Sequence, residues 1–422
     1  MSERAADSVE AVFREEWGRL LATLVRWLGD LDLAEEVAAD AMAVALERWP
    51  VDGVPDRPAA WLLTTARRRA VDLLRRRQAY AAKLAVLKVE AERDEEGSLA
   101  VAPSDPDAIG DDRLRLFFTC CHPALTAEAR VALTLRYLAG LSTAEVARAF
   151  LVPEATMAQR LSRAKRKIRE AGIPYRVPSA EELPSRLPGV LRVVYVVFTE
   201  SYAASQGPAL LRPELADEAT RLARILRLLL PAEQEVTGLL ALMLLVDARR
   251  ASRTDEGGGL VLLEEQDRSR WERAKIEEGR ALVVEALQSG PPGPYALQAA
   301  IAAVHDEAAT LETTDWPQIV GLYDVLRTVA PSPVVDVNRA VAVAMVDGPE
   351  AGLVLLDELD GSGALDRFHL LHASRARLLE RLGRTDDAVD AYRRALALVG
   401  NEPERAFLQG RLQGCEAQPP PA

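Results

Sequence analysis

The chain of 422 residues carries 52 Lys and Arg against 64 Asp and Glu, a formal net charge of -12, with 49% hydrophobic and 27% charged residues. This is a soluble globular composition with core enough for roughly two to four domains, and it excludes a disordered chain. Three cysteines (Cys120, Cys121, Cys415) exclude a disulfide scaffold and suit a reducing cytoplasm. The longest apolar run, GLLALMLLV, falls far short of the roughly 20 residues of a membrane span, and the opening MSERAADSVEAVFREEW lacks the apolar core of a signal peptide.

Helical periodicity dominates and no alternating strand pattern is present, so the fold class is all-α. Val9 to Leu28 reads as an amphipathic helix, with Val12, Phe13, Trp17, Leu20, Leu21, Leu24 and Leu28 at helical spacing. Asp32 is expected to cap a second helix that Pro50 ends after Trp49. The turn-rich PVDGVPDRP leads to a third helix from Ala59 to about Leu84, and RDEEGSLAVAPSDPDAIGDD reads as a flexible acidic linker.

Helix resumes over Arg113 to Ala171, followed by a proline-rich linker, GIPYRVPSAEELPSRLPG. The remainder is a long helical region broken at AASQGPALLRPE, RTDEGGG and SGPPGP. Near its end, NRAVAVAMVDGPEAGLVLLDEL and SRARLLERLGRTDDAVDAYRRAL share a pattern of helix, glycine turn, helix. Their glycines, Gly348 and Gly383, lie 35 apart, close to the ~34-residue tetratricopeptide period. Leu382-Gly383, Ala388, Tyr392 and Ala395-Leu396 fit that pattern; a generic helical hairpin is the plainer reading.

Charge is unevenly spread. Residues 1–175 hold 26 bases and 27 acids; the rest hold 26 and 37. Within the near-neutral part, Arg67 to Arg77 has six arginines and one acid, and Arg148 to Arg169 has seven bases and one acid. Two basic helices on a neutral background form an electrostatic footprint for a polyanion.

The second basic segment lies in LSTAEVARAFLVPEATMAQRLSRAKRKIR. Ser142 and Glu145 make an S-x-x-E capping box, LVPE is a turn, and Pro153 sets the start of the next helix. Met157, Leu161, Ala164 and Ile168 form that helix's inner stripe. This is a helix-turn-helix with a basic second helix, suited to the major groove. Arg160, Arg166 and Lys167 would contact phosphates, and Gln159, Ser162 and Arg163 are placed to read base edges. In the first segment, Leu62, Leu63, Ala66, Ala70, Leu73 and Leu74 gather on one side. Arg68 and Arg75 lie opposite, Arg69 and Arg76 flank one edge and Arg67 the other. Alone, such a run is most often a solvated face.

An acidic helix at Asp32 to Trp49, a W-L-x-x-x-A-R helix at Trp61 to Arg67 and the arginine run resemble the second conserved domain of bacterial RNA polymerase sigma factors. The helix-turn-helix resembles the fourth domain of that family. Two such domains joined by a short linker resemble the extracytoplasmic-function (ECF) group, over about Val9 to Tyr175. CCHPAL, FTESYAAS, LLEEQDRSRW and VNRAVAVAMVDGPEAG resemble the long extension of an ECF subgroup with tetratricopeptide repeats.

The resemblance implies a protein that binds core RNA polymerase and directs it to promoter DNA, with no catalysis of its own, no metal or other cofactor, and a cytoplasmic location away from membranes. Glu35, Glu36 and Asp40 would dock on a coiled coil of the polymerase clamp. Trp61 to Arg77, with the contacts falling to Arg67, Arg68, Arg69, Arg75 and Arg76, would bind the minus-ten element, where a base is flipped from the stack and the loop Val51 to Pro58 helps hold it. Ala158, Gln159, Ser162 and Arg163 fall where the family reads the minus-thirty-five element. The sequence departs from the family at Ala39 and Met42, where a glutamine and a large aromatic are usual, at Leu151, a common glycine position, and at Ala158, commonly basic.

The implied layout is a sigma domain 2 at 1–85, an acidic linker at 86–112, a sigma domain 4 at 113–175, a helical middle domain at 176–290 and tetratricopeptide-like repeats at 291–415. The repeats suit a protein or peptide ligand and a regulatory role. The competing reading is a helix-turn-helix regulator with a tetratricopeptide sensor, which leaves the first basic helix without purpose. Cys120, Cys121 and His122 are adjacent but diverge on a helix, so they read as small buried residues at a helix end and not as metal ligands.

Overall fold

A computed structural model describes residues 16–88, 109–202 and 210–417. The described residues are helical, with no strand beyond one isolated antiparallel bridge between Thr254 and Leu260. The chain divides into two compact units, Met1–Val194 and Tyr195–Ala422.

The first unit opens with α1 (residues 16–28), followed by α2 (Leu31–Asp52) and α3 (Pro58–Lys88). Trp17, Leu20, Leu21 and Leu24 of α1 are buried, in keeping with their spacing. The N-cap of α2 is Asp30, not Asp32: the Asp30 carboxylate accepts from the Leu33 N–H at 3.0 Å. Gly29, at φ +67°, supplies the left-handed turn that lets Asp30 take the cap two residues early. Nor does Pro50 stop α2, which runs on to Asp52 and closes with the Gly53 N–H donating to Trp49 O. A proline in the last turn removes one donor without breaking what precedes it. Trp49 packs edge-on to Trp61 at 5.4 Å, joining α2 to α3.

α4 (Ile109–Cys120) begins inside the stretch read as linker, and Asp112 there is buried and pairs with Arg26 at 3.1 Å. α5 (Ala127–Leu133) continues as a π-helical turn over Thr134–Leu138. α6 (Thr143–Ala149) and α7 (Glu154–Glu170) complete the unit's helical hairpin, and α8 (Leu183–Tyr202) follows the proline-rich stretch.

The second unit continues with α9 (Pro213–Leu229), α10 (Gln234–Asp247), α11 (Arg273–Gln288), α12 (Pro294–Glu307) and α13 (Trp316–Val329). The apolar run GLLALMLLV lies in α10, where Val236 to Leu245 are buried among neighbouring helices. A loop between α10 and α11 is pinned by Trp271, whose Nε1 donates to Ser252 Oγ at 2.8 Å. Arg268, stacked over Trp271, donates to the carbonyls of His305 and Ala308. Beyond it come α14 (Pro333–Val346), α15 (Pro349–Gly361), α16 (His369–Arg381), α17 (Thr385–Leu398) and α18 (Glu402–Glu416). Gly348 and Gly383 stand at φ +93° and +71° in the turns of the pairs α14/α15 and α16/α17, a left-handed backbone that glycine adopts freely. Ala388, Tyr392 and Ala395 are buried in the core these helices share.

Candidate nucleic-acid interface

Along α3 the apolar stripe faces inward: Leu62, Ala66 and Ala70 are fully buried, and Leu73 and Leu74 half-buried. Arg68, Arg69, Arg75 and Arg76 are exposed and Arg67 is half-buried. Among the described residues none of these five makes an ion pair, so the face keeps its full charge. The side chain of Arg77 lies outside the described residues. The end of α2 and the loop that leads into α3 expose two apolar side chains, Val51 and Val54.

The helix-turn-helix is built as its sequence implies. Ser142 Oγ accepts from the Glu145 N–H at 3.2 Å, and the Glu145 carboxylate accepts from the Ser142 N–H at 2.7 Å. This reciprocal box fixes where α6 begins. Leu151 takes φ +51°, the left-handed backbone of the turn, without glycine. Pro153 then stands at the N-cap of α7. Met157, Leu161 and Ala164 are buried, while Ala158, Gln159, Ser162, Arg163, Arg166 and Lys167 are exposed and Arg160 is half-buried. Arg160 and Arg166 lie 3.6 Å from Glu128 and Glu170, weak surface pairs that phosphates can displace. The outward row on α7 is therefore the row read from the sequence.

The acids of α2 separate into two sets. Glu36 and Asp40 are exposed, alongside Leu46, which is 57% exposed. Glu35 faces the other way. Its Oε1 accepts from Arg136 at 2.6 Å, and its Oε2 accepts from the Tyr137 hydroxyl at 2.9 Å and from Lys165 at 3.1 Å. Asp32 pairs with Lys165 at 2.5 Å and with Arg169 at 3.2 Å. Glu35 is thus not part of the exposed acidic face expected for it; buried Val37 and Ala38 and the helix repeat turn it onto the seam with α5–α7. Burial opposes the charge of Lys165, but the two carboxylates outweigh it and hold its pKa above the ordinary lysine value.

Arg136, Tyr137, Lys165 and Arg169 were not among the expected site residues. They sit 101 to 137 residues from their partners, and no local pattern announces such pairs. Arg136 and Tyr137 lie on the π turn, which brings two successive side chains to bear on one carboxylate.

Cys120 and Cys121 are buried, and burial pushes both thiols up, Cys121 to about 11, despite its 3.6 Å contact with Thr134 Oγ1. They are inert protonated core groups at the end of α4. His122 Nδ1 accepts from the Ala124 N–H, closing the turn after the helix.

An exposed arginine helix and a capped helix-turn-helix with a basic second helix are the features of a DNA-binding protein. Residues 12–80 match the family model Sigma-70 region 2, residues 118–168 match Sigma-70 region 4, and residues 186–287 match a family of unknown function, DUF6596. An uncharacterized protein, R00370, of Rhizobium meliloti is 43% identical over 399 residues, 94% of each chain. The ECF RNA polymerase sigma factor SigK of Mycobacterium tuberculosis is 32% identical over 177 residues, 39% of this chain and 88% of that protein. SigK of Mycobacterium ulcerans is 31% identical over 158 residues, 36% of this chain and 78% of its own length. The chain belongs to the ECF RNA polymerase sigma factors, proteins of transcription initiation.

Proposed function

We propose that this sigma factor docks on core RNA polymerase through the exposed face of α2 and reads a promoter with α3 and α7. The observation that carries the reading is the pair of exposed, cationic helix faces in the two matched regions, with the arginines of α3 unpaired among the described residues. Glu36 and Asp40 offer carboxylates to basic residues of the polymerase clamp, and Leu46, further along α2, is a separate exposed apolar side chain. Arg68 and Arg75, with Arg67, Arg69 and Arg76, hold the backbone of the minus-ten strand, while Val51 and Val54 give an unstacked base an apolar surface. Gln159, Ser162 and Arg163 read the minus-thirty-five element, with Ala158 against the bases and Arg160, Arg166 and Lys167 on phosphates.

In this reading residues 1–85 and 113–175 are the two sigma domains, 86–112 joins them, and 176–290 and 291–415 form a helical extension of the tetratricopeptide-bearing subgroup. The glycine turns at Gly348 and Gly383 support the repeat assignment. The extension takes a protein or peptide ligand and regulates the sigma domains. The protein works in the cytoplasm and catalyses nothing itself.

The test is transcription in vitro with core polymerase as the only other protein. The chain should start transcripts from its promoters unaided; a regulator with a sensor domain would need another specificity subunit. Arg68→Glu with Arg75→Glu should abolish promoter opening while polymerase binding survives. Opening retained in that variant would return α3 to an ordinary solvated face. Truncation after Pro178 that left transcription unchanged would remove the regulatory role of the extension.

A further inference from the structure

In the second unit, residues far apart in the extension meet around a group of tyrosines. Tyr195 and Tyr202 stand two turns apart on one face of α8, and the Tyr202 ring carries the Arg253 guanidinium at 4.4 Å. Tyr195 packs on Tyr295 of α12 at 5.3 Å, and its hydroxyl donates to Gln298 Oε1 at 3.2 Å. Tyr323 of α13 completes the group: burial pushes its phenol well above the ordinary value, and the phenols of Tyr202 and Tyr195 add to the shift. All four tyrosines are half-buried, so each still reaches water. The hydroxyls of Tyr202 and Tyr323 make no hydrogen bond among the described residues.

Arg253 is the charged member of the group. Its Nη2 donates to Tyr202 O at 3.1 Å, while Nε is buried without an acceptor and Nη1 meets none among the described residues. Burial pushes its pKa below the ordinary arginine value, against the pull of Tyr202 and Glu404, yet a guanidinium stays charged at neutral pH. Glu404 is already held by His369 at 3.0 Å and by Asn401 at 2.7 Å, and it forms no ion pair with Arg253. The backbone under Arg253 is fixed from both sides. Ser252 Oγ accepts from Trp271, and the Arg253 carbonyl accepts from the Val261 N–H at 2.9 Å in a short hairpin. Beyond the hairpin, Glu264 pairs with Arg377 of α16.

A site built only for packing has no use for this composition. Phenylalanines fill the same space without leaving hydroxyls unbonded, and a sheltered cation without a counter-charge costs free energy until something supplies one. We propose that Arg253 and the tyrosines of α8, α12 and α13 form a binding site for a carboxylate borne on an aromatic or apolar body. The carboxylate pairs with the free edge of the guanidinium and accepts from the hydroxyls of Tyr202 and Tyr323, while the body lies against the rings. One cation among neutral phenols suits a single negative charge better than a phosphate dianion. A small free acid and the last residue of a peptide share this chemistry. The proposal rests on the reading of the extension as a ligand-binding part and adds to it the class of ligand.

The test is calorimetric titration of the full chain with N-acetylphenylalanine, both a small acid and the image of a peptide terminus. It should bind with a Kd at or below about 1 mM, and its uncharged amide about tenfold more weakly. Arg253→Gln should weaken the acid by about tenfold and leave the amide unmoved. Tyr323→Phe keeps the ring and should weaken the acid about threefold while helix content and melting stay those of the parent. A tripeptide ending in the same residue that binds more tightly than the single residue assigns the site to a peptide terminus; equal or weaker binding assigns it to a small acid. No binding of the acid at about 10 mM would overturn the site. So would equal affinity for acid and amide, or acid binding unchanged in both variants. Transcription by the chain truncated after Pro178 reads the regulatory role of the extension separately, so either reading can fail while the other stands.

Discussion

Leu151 holds φ +51° in the turn of the helix-turn-helix, a conformation that costs a Cβ-bearing residue about 1–2 kcal/mol. Leu151→Gly should therefore raise the stability of the first unit by about 0.5–1 kcal/mol, the relief being partly offset by the greater freedom of glycine in the unfolded chain. A calorimetric midpoint that falls would show that the exposed leucine makes contacts worth more than the strain. Asp306 in the second unit is a residue of the opposite kind. Its carboxyl is buried and lies 3.6 Å from Arg249 without a hydrogen bond, and burial, against the pull of Arg249, Arg268 and Arg273, raises its pKa to about 6. Because the folded value exceeds the unfolded one, stability is fully present below pH ~4 and falls as pH rises through 6. Asp306→Asn should match the parent near pH 4 and exceed it by roughly 3 kcal/mol near pH 7.5; a constant difference across that range would mean the arginines fully compensate the charge.

At the scale of elements, the capping box is the firmest local signal in the chain. Ser142→Ala should cost about 1 kcal/mol and fray the start of α6, read as faster amide exchange over Thr143 to Val146; an unchanged exchange rate there would show that packing of Val146 alone holds the turn. The helix-turn-helix was legible because all its determinants are local: a reciprocal cap three residues apart, a proline start and an apolar stripe at helical spacing. The outward row on α7 and the arginine face of α3 followed from the same periodicity. Helix ends were less legible. Two aspartates, Asp30 and Asp32, compete for one cap, and the choice turned on the left-handed backbone of Gly29. Pro50 reads as a stop, yet a last-turn proline costs α2 only one donor. The seam was not legible at all. Glu35 and Lys165 are 130 residues apart, and on their own helices they look like members of an acidic and a basic face.

For the whole molecule the charge division has a measurable effect. Residues 176–422 hold 11 more acids than bases, while residues 1–175 are nearly neutral with concentrated basic helices. The acidic part adds a repulsive field toward any polyanion. Non-specific DNA should thus bind residues 1–178 more tightly than the full chain at 50 mM salt, and the gap should close near 1 M, where the Debye length is ~3 Å. A gap that persists at 1 M would indicate direct contact with the DNA-reading faces and not a long-range field. Each arginine removed from α3 should also lower the salt slope of binding by about 0.9.

The π turn at Thr134–Leu138 carries one residue more than an α-helical turn would need, and that surplus residue sets the phase of everything after it. Deleting a single codon there would let the segment relax into ordinary helix and turn the chain before it by about 100° relative to the chain after it. A change at one position could in this way reset which side chains from α5–α7 meet Glu35, without touching either basic helix face.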